Sequence, residues 1–182
     1  FTLSRKDPDY VPKAKAFARL EAERRAWTAG QKLSPELEEL LAAVAALSGK
    51  TREELIAGTG LGSAIFAVKP GDGSAREQAA SCQKVLGGWA NLALEYATKR
   101  YRSNLINWGM IPFTIDPADQ EKLAIDGVLY IPEIRTAIRT GAEEVQAYLC
   151  PGGAPLRLKM ENLSTAEREI ILAGSLINHY RQ

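Results

Sequence analysis

Residues 59–74 read TGLGSAIFAVKPGDGS, and the chain changes character across them. AIFAVK is a short apolar run bounded by glycine and proline, the pattern of a buried strand, and it leads into a turn with two glycines around Asp72. On the N-terminal side the sequence reads as helix. On the C-terminal side strands and helices alternate. A strand, a glycine turn and a helix in succession open an α/β domain, so the fold class hinges on this stretch.

The N-terminal part, residues 1–60, is expected to be a helical extension or insertion. PDYVPKAKAFARLEAERRAWTAG is rich in Ala, Lys, Glu and Arg, with a narrow apolar stripe through Phe17, Leu20 and Trp27, and its charges read as a solvated face. In SPELEELLAAVAALSG, Ser34 is expected to cap, Pro35 sits at the first helical position, and Leu37, Leu40, Leu41, Val44 and Leu47 recur at helical spacing up to Gly49. Thr51 with Glu54 predicts a capping box.

The second part, 61–182, predicts helix 75–86, strand 89–94, helix 95–108 and strand 111–115. A short helix after Pro117, a strand at 127–131 and a helical turn ending at Gly141 follow. Strands at 144–149 and 155–160 then flank the CPGGAP turn. Because that pair must be antiparallel, the sheet is expected to be mixed. A last helix is announced by a second capping box, Ser164 with Glu167.

Composition narrows the function. The chain has 23 Lys+Arg against 22 Asp+Glu, so no global field argues for nucleic acid or an anionic membrane. Two cysteines without C-x-x-C spacing fit a reducing compartment, and the cytoplasm is the expected location. They are too few for a zinc or iron–sulfur site built from this chain alone. No apolar run approaches the roughly 18 residues of a spanning helix. The chain opens at Phe1 without Met, and we read it as a piece of something longer.

The glycine turn carries the candidate chemistry. Ser74 and Glu77 form an S-x-x-E pattern, so a purely structural capping box is one reading. The other is an anion cradle. Free amides and the positive end of a helix dipole converge on one spot, and Arg76 adds a fork for a carboxylate. The turn completes neither G-x-x-x-x-G-K-[ST] nor G-x-G-x-x-G. A hydrolase needs a general base, and the one histidine, His179, lies three residues from the end. Ser74 acting as a base itself would need its alkoxide stabilised by many pKa units at 1.36 kcal/mol each. A helix terminus supplies about 0.3–1 kcal/mol, at best ~2, so Arg76 and a desolvated pocket must supply much more, together with charge from outside this chain.

Beyond Ser74, the run GDGSAREQAASCQKVLGGWANLALEYATKRYRSNLINWGMIPF resembles the swivel domain of the aconitase and isopropylmalate isomerase superfamily of hydro-lyases. The family pattern is a Gly-x-Gly-Ser-Ser-Arg-Glu turn, a helix ending in LGG, a strand, a helix with an Asn-Leu pair and a Gly, and a Leu-Pro strand. Here it is matched by Gly71, Gly73, Ser74, Arg76 and Glu77, by Leu86–Gly88, by Asn104, Leu105 and Gly109, and by Ile111–Pro112. The resemblance implies a three-layer swivelling β/β/α domain with a mixed sheet or partial barrel. It implies that Ser74 is a catalytic base, that Arg76 binds a substrate carboxylate and stabilises that serine, and that Gly73 and Ala75 join Arg76 as substrate-binding residues. It also implies a [4Fe–4S] cluster held by other domains or a large subunit, a small carboxylic acid as substrate, and no activity in this chain alone. Ala75 stands where the family usually has a second serine and Gln78 where a histidine is common. An early Asp-x-x-x-Thr-Asp-His-like segment has no counterpart before Ser74. A non-catalytic domain serving assembly or carboxylate binding is therefore the alternative.

The remaining features read as structure. In TKRYRSN, residues 98–104, the expected buried face is Ala97, Tyr101, Leu105 and Trp108, with the basic residues solvated and RNA binding not expected. Cys82 is expected on the apolar face of the first helix with Ala75, Ala79 and Leu86, as a small core residue. Trp89 and Trp108 are expected in the core or against missing domains.

Overall fold

The computed structural model describes residues 5–160 and 162–181. Phe1 lies outside them. The chain divides into two compact units, one ending at Ser63, the first residue of the strand Ser63–Ala67, and the other beginning at Ala64 and holding the rest of that strand.

The first unit holds helices α1 (Tyr10–Ala26), α2 (Pro35–Ser48) and α3 (Arg52–Gly58). α2 buries Leu37, Leu41 and Val44, as its helical spacing predicts, and Gly49 ends it in the left-handed conformation. α1 departs from its expected stripe: the buried positions are Ala14 and Glu21, while Phe17, Leu20 and Trp27 are half-buried. Glu21 is only 8% exposed because it is a hub of ion pairs. It accepts from Arg24 Nε and Nη2 at 2.8 and 2.9 Å, from Arg25 Nε at 2.6 Å and from the Leu61 amide at 2.9 Å. Burial pushes its carboxyl up, but the bonds from Arg24, Leu61 and Arg25 outweigh that and hold its pKa below the ordinary value. Ser34 makes no capping bond to α2; its hydroxyl donates instead to Glu23 Oε2 of α1 at 2.8 Å. The Thr51 box forms in full, with Glu54 N donating to Thr51 Oγ1 at 3.3 Å and Thr51 N to Glu54 Oε2 at 2.7 Å.

The second unit follows the predicted alternation: β1 (Ser63–Ala67), α4 (Arg76–Val85), β2 (Gly88–Ala93), α5 (Lys99–Asn107), β3 (Ile111–Thr114), a 3-10 turn (Pro117–Lys122), β4 (Val128–Tyr130), α6 (Ile134–Thr140), β5 (Glu144–Cys150), β6 (Ala154–Lys159), α7 (Thr165–Ala173) and α8 (Leu176–His179). Among the described residues six strands make one sheet in the order β1-β2-β3-β6-β5-β4. The sheet is mixed. β2 and β3 run parallel, Ala90 opposite Ile111, whereas β5 and β6 form an antiparallel hairpin with Ala147 opposite Leu156. Pro112 has no N–H to offer a second neighbour, and β6 joins β3 beyond it, at Thr114 opposite Lys159.

The main core packs Leu92 of β2 and Phe113 of β3 with Leu156 and Leu158 of β6, under Ile106 of α5 and Ile170 and Ile171 of α7. Each such side chain contributes about 1.5–3 kcal/mol by leaving water. A smaller cluster of Ala80, Tyr101, Leu105 and Met110 seats α4 on α5. The turns that end α5 and α7 touch backbone to backbone: Gly109 has φ +67°, and a Cβ there would lie 2.1 Å from the Gly174 carbonyl oxygen. The Ser164 box forms as predicted.

Candidate functional site

The turn between β1 and α4 is tied down at its base. The Leu94 and Glu95 amides both donate to Val68 O at 3.2 Å, and Ala97 N donates to Pro70 O at 2.9 Å. Gly71 O accepts from Thr98 Oγ1 at 2.9 Å and from Arg76 Nε at 3.0 Å. Thr98 is the N-cap of α5 and also accepts from Tyr101 N, so one carbonyl oxygen joins the starts of α4 and α5. The predicted helix 95–108 therefore begins later, at Lys99. A threonine with free hydroxyl reach just ahead of a helical run is the sequence signal that would have placed this start.

Gly71 is required by both conformation and space. Its φ is +101°, and a Cβ would lie 2.5 Å from Tyr101 Cβ. Tyr101 is 3% exposed beneath the turn. Its hydroxyl accepts from Asn91 Nδ2 at 2.9 Å and from Gln83 Nε2 at 3.0 Å. Tyr96 packs beside it, ring centres 6.3 Å apart, and shares its own O–H between Asn91 O and Phe113 O. Burial, with Tyr101 adding to it, raises the Tyr96 phenol pKa far above its ordinary value, so this group stays a neutral donor.

Above this base the structure brings Gly73, Ser74, Ala75 and Arg76 together around a cleft of about 380 Å³, with Pro70, Gly71, Ala79 and Tyr101 completing its lining. Ser74 is exposed, and its hydroxyl has no hydrogen-bond partner among the described residues. Arg76 is half-buried and anchored through Nε, which leaves the two terminal nitrogens of its guanidinium for a ligand. Two helix starts, each with its positive dipole end, meet at the same turn.

The capping box, one of the two readings of Ser74, is not formed. Ala75 is the N-cap of α4, with φ −88° and ψ 51°, and Ala75 O accepts from Ala79 N at 3.1 Å. The helix thus starts one residue later than S-x-x-E requires, which makes Glu77 the second helical residue instead of the third. Glu77 Oε1 accepts instead from Trp108 Nε1 at 3.0 Å.

The expectation for Cys82 is also corrected. Ala80 is the buried residue of α4, while Ala75, Ala79 and Cys82 are exposed. α4 docks by the face that carries Arg76, Glu77, Ala80 and Gln83, held by hydrogen bonds to Gly71, Trp108 and Tyr101. Polar docking defeats an argument from apolar spacing. Of the tryptophans, Trp108 is half-buried and Trp89 is 40% exposed. Of the basic residues in 98–104, Lys99 and Arg100 are exposed, and Arg102 pairs with Glu167 of α7 at 3.2 Å.

A cleft of about 400 Å³ in the first unit is lined by Trp27, Glu38 and Arg52, among others. Arg52 is already engaged there, 3.3 Å from Glu38 and 5.7 Å from the Trp27 ring centre. Among the described residues no three His, Cys, Asp or Glu side chains gather to hold a metal ion. The two cysteines, Cys82 on α4 and Cys150 at the end of β5, are free thiols. The residues present here do not make an iron–sulfur site. No helix among them is long and apolar enough to cross a membrane.

Residues 64–118 match the family model of the aconitase C-terminal domain, which takes in the glycine turn, α4, β2, α5 and β3. The mixed sheet with its helices is the fold of that domain class. Among solved structures, the chain is similar to 3-isopropylmalate dehydratase (LeuD) from Methanocaldococcus jannaschii, at 24% identity and a TM-score of 0.50, over 71% of this chain and 69% of that one. No curated protein matches the chain.

Proposed function

We propose that residues 61–182 are the swivel-type domain of an aconitase-like hydro-lyase, with residues 1–60 as a helical extension or insertion. It delivers Ser74 and Arg76 to the dehydration or hydration of a hydroxy di- or tricarboxylic acid. The observation that carries this reading is the cleft itself, where an unpaired serine hydroxyl stands beside an arginine anchored by Nε at the junction of two helix starts. Arg76 takes a substrate carboxylate on its terminal nitrogens, and the amides around Gly73 and Ala75 face the same ligand. Ser74 exchanges the proton on the carbon next to that carboxylate. The matched family segment and the 3-isopropylmalate dehydratase neighbour support a hydro-lyase.

The remaining machinery, with the iron–sulfur cluster, belongs to partner domains or a large subunit. The outward face of α4 supports such a partner: Ala79 and Cys82 are exposed there, and Val85 is 80% exposed. Two free thiols suit the cytoplasm. A second reading, a non-catalytic carboxylate-binding or assembly domain, is favoured by one residue. Ala75 leaves the cleft wall without a second hydroxyl.

The test is reconstitution of the chain with its cluster-bearing part, iron and sulfide, following hydration of several 2-enoic di- and tricarboxylates. Ser74→Ala is expected to lower kcat by about 10²–10⁴. Arg76→Lys, which loses the planar fork, is expected to raise KM. Unchanged turnover in Ser74→Ala removes the serine from the mechanism. Ligand binding without turnover in the wild-type assembly favours the second reading. The chain alone is expected to be inactive.

A further inference from the structure

α4 begins at Arg76 after an alanine N-cap, which has no side-chain oxygen to give its first amides. The residue that faces one of those amides comes from another helix. With its amide nitrogen toward Arg100 O at 3.3 Å, Asn104 of α5 presents its side-chain oxygen to the Glu77 amide at 3.0 Å. The opposite orientation would set donor against donor and acceptor against acceptor. One turn further along α5, at its C-cap, Trp108 donates Nε1–H to the Glu77 carboxylate at 3.0 Å. Both ends of Glu77, amide and carboxylate, are therefore held by α5.

We infer that Asn104 caps α4 from outside and that, together with Trp108, it is a positioning residue for the Ser74–Arg76 turn. In a capping box the serine hydroxyl would be spent on the helix's own amide. Here Asn104 fills that role, so the Glu77 amide is satisfied while the Ser74 hydroxyl keeps both its proton and its lone pairs for a ligand. Trp108 adds direction. By fixing the Glu77 side chain on the α5 side, it sets the rotation of the first turn of α4 and hence where Arg76 points. The assignment rests on the proposed function only for what the freed hydroxyl does, not for which residue caps the helix.

Amide hydrogen exchange read residue by residue by NMR on the full chain separates the two. Asn104→Ala is expected to speed exchange at Glu77 about tenfold or more, while Ser74→Ala leaves it unchanged. Asn104→Asp, which keeps an acceptor, is expected to retain the protection. If Asn104→Ala does not fold, the Ser74→Ala and Asn104→Asp pair decides. Loss of Glu77 protection in Ser74→Ala, or its full retention in Asn104→Ala, overturns the inference. In the reconstituted assembly, Asn104→Leu is expected to lower kcat about 10–100-fold with KM little changed, and Asn104→Asp to rescue it. A wild-type assembly without turnover would refute the functional reading while leaving the exchange result standing.

Discussion

Ser164 and Ser74 begin the same four-residue pattern, serine, two intervening residues and glutamate, yet they do opposite things. At Ser164 the hydroxyl accepts from Glu167 N at 3.3 Å and the Glu167 carboxylate accepts from Ser164 N at 2.8 Å. At Ser74 neither bond exists, and Glu77 turns to Trp108. The difference is one residue of register. α7 starts directly after its serine, whereas α4 starts after Ala75, because Gly71 O holds Arg76 Nε and α5 holds Glu77. Where nothing distant competes, a local motif closes on itself. Where tertiary contacts claim its members, the same letters leave a hydroxyl free.

The contrast can be broken most sharply at the turn that sets the register. Gly71→Ala is expected to cost about 2–4 kcal/mol in urea denaturation, since it combines a strained φ with a clash against Tyr101. Gly73→Ala, with nothing within 4 Å of its Cβ, is expected to stay within about 0.5 kcal/mol. The serines themselves come next: Ser164→Ala is expected to lose about 1 kcal/mol and Ser74→Ala to remain within about 0.5 kcal/mol of wild type. Equal losses at the two serines would mean that Ser74 caps after all.

The smallest effect is a matter of pH, at the third copy of the pattern. The Thr51 amide and hydroxyl both donate to Glu54, and these bonds hold its carboxyl pKa below the ordinary value. A depressed carboxyl stabilises the fold fully above its unfolded pKa of about 4.3 and loses that contribution as pH falls through the folded value. Thr51→Ala is therefore expected to destabilise the protein more at pH 6 than at pH 3. A penalty that grows toward acid would contradict the box.

Much of this molecule is legible in its sequence, and what is not has a common cause. The strand that leads into PGDGS, the helical spacing of Leu37, Leu41 and Val44, and the hairpin about CPGGAP are set by short-range patterns of burial and turn chemistry, and they stand within about two residues of where those patterns put them. The gathering of Gly73, Ser74, Ala75 and Arg76 needs little more, since the four are consecutive. The start of α4 depends on Trp108, 31 residues beyond Glu77, and no local window contains that bond. Glu21 reads as a solvated charge until the Leu61 amide, 40 residues away, reaches it. Apolar spacing puts Cys82 inside, yet it is exposed on a helix whose inner face is hydrogen-bonded.

The backbone contact between Gly109 and Gly174 bears on how still the Ser74 turn can be. Trp108 is the residue before Gly109, and Asn104 lies one turn earlier on the same helix. The end of α5 rests on a peptide group, which cannot change rotamer as a side chain could. The grip of α5 on α4 is therefore braced from the far end of the chain, as a beam is clamped at its support. Loosening the Gly174 joint would leave every contact in the cleft formally intact while widening the amplitude of the turn that carries the serine.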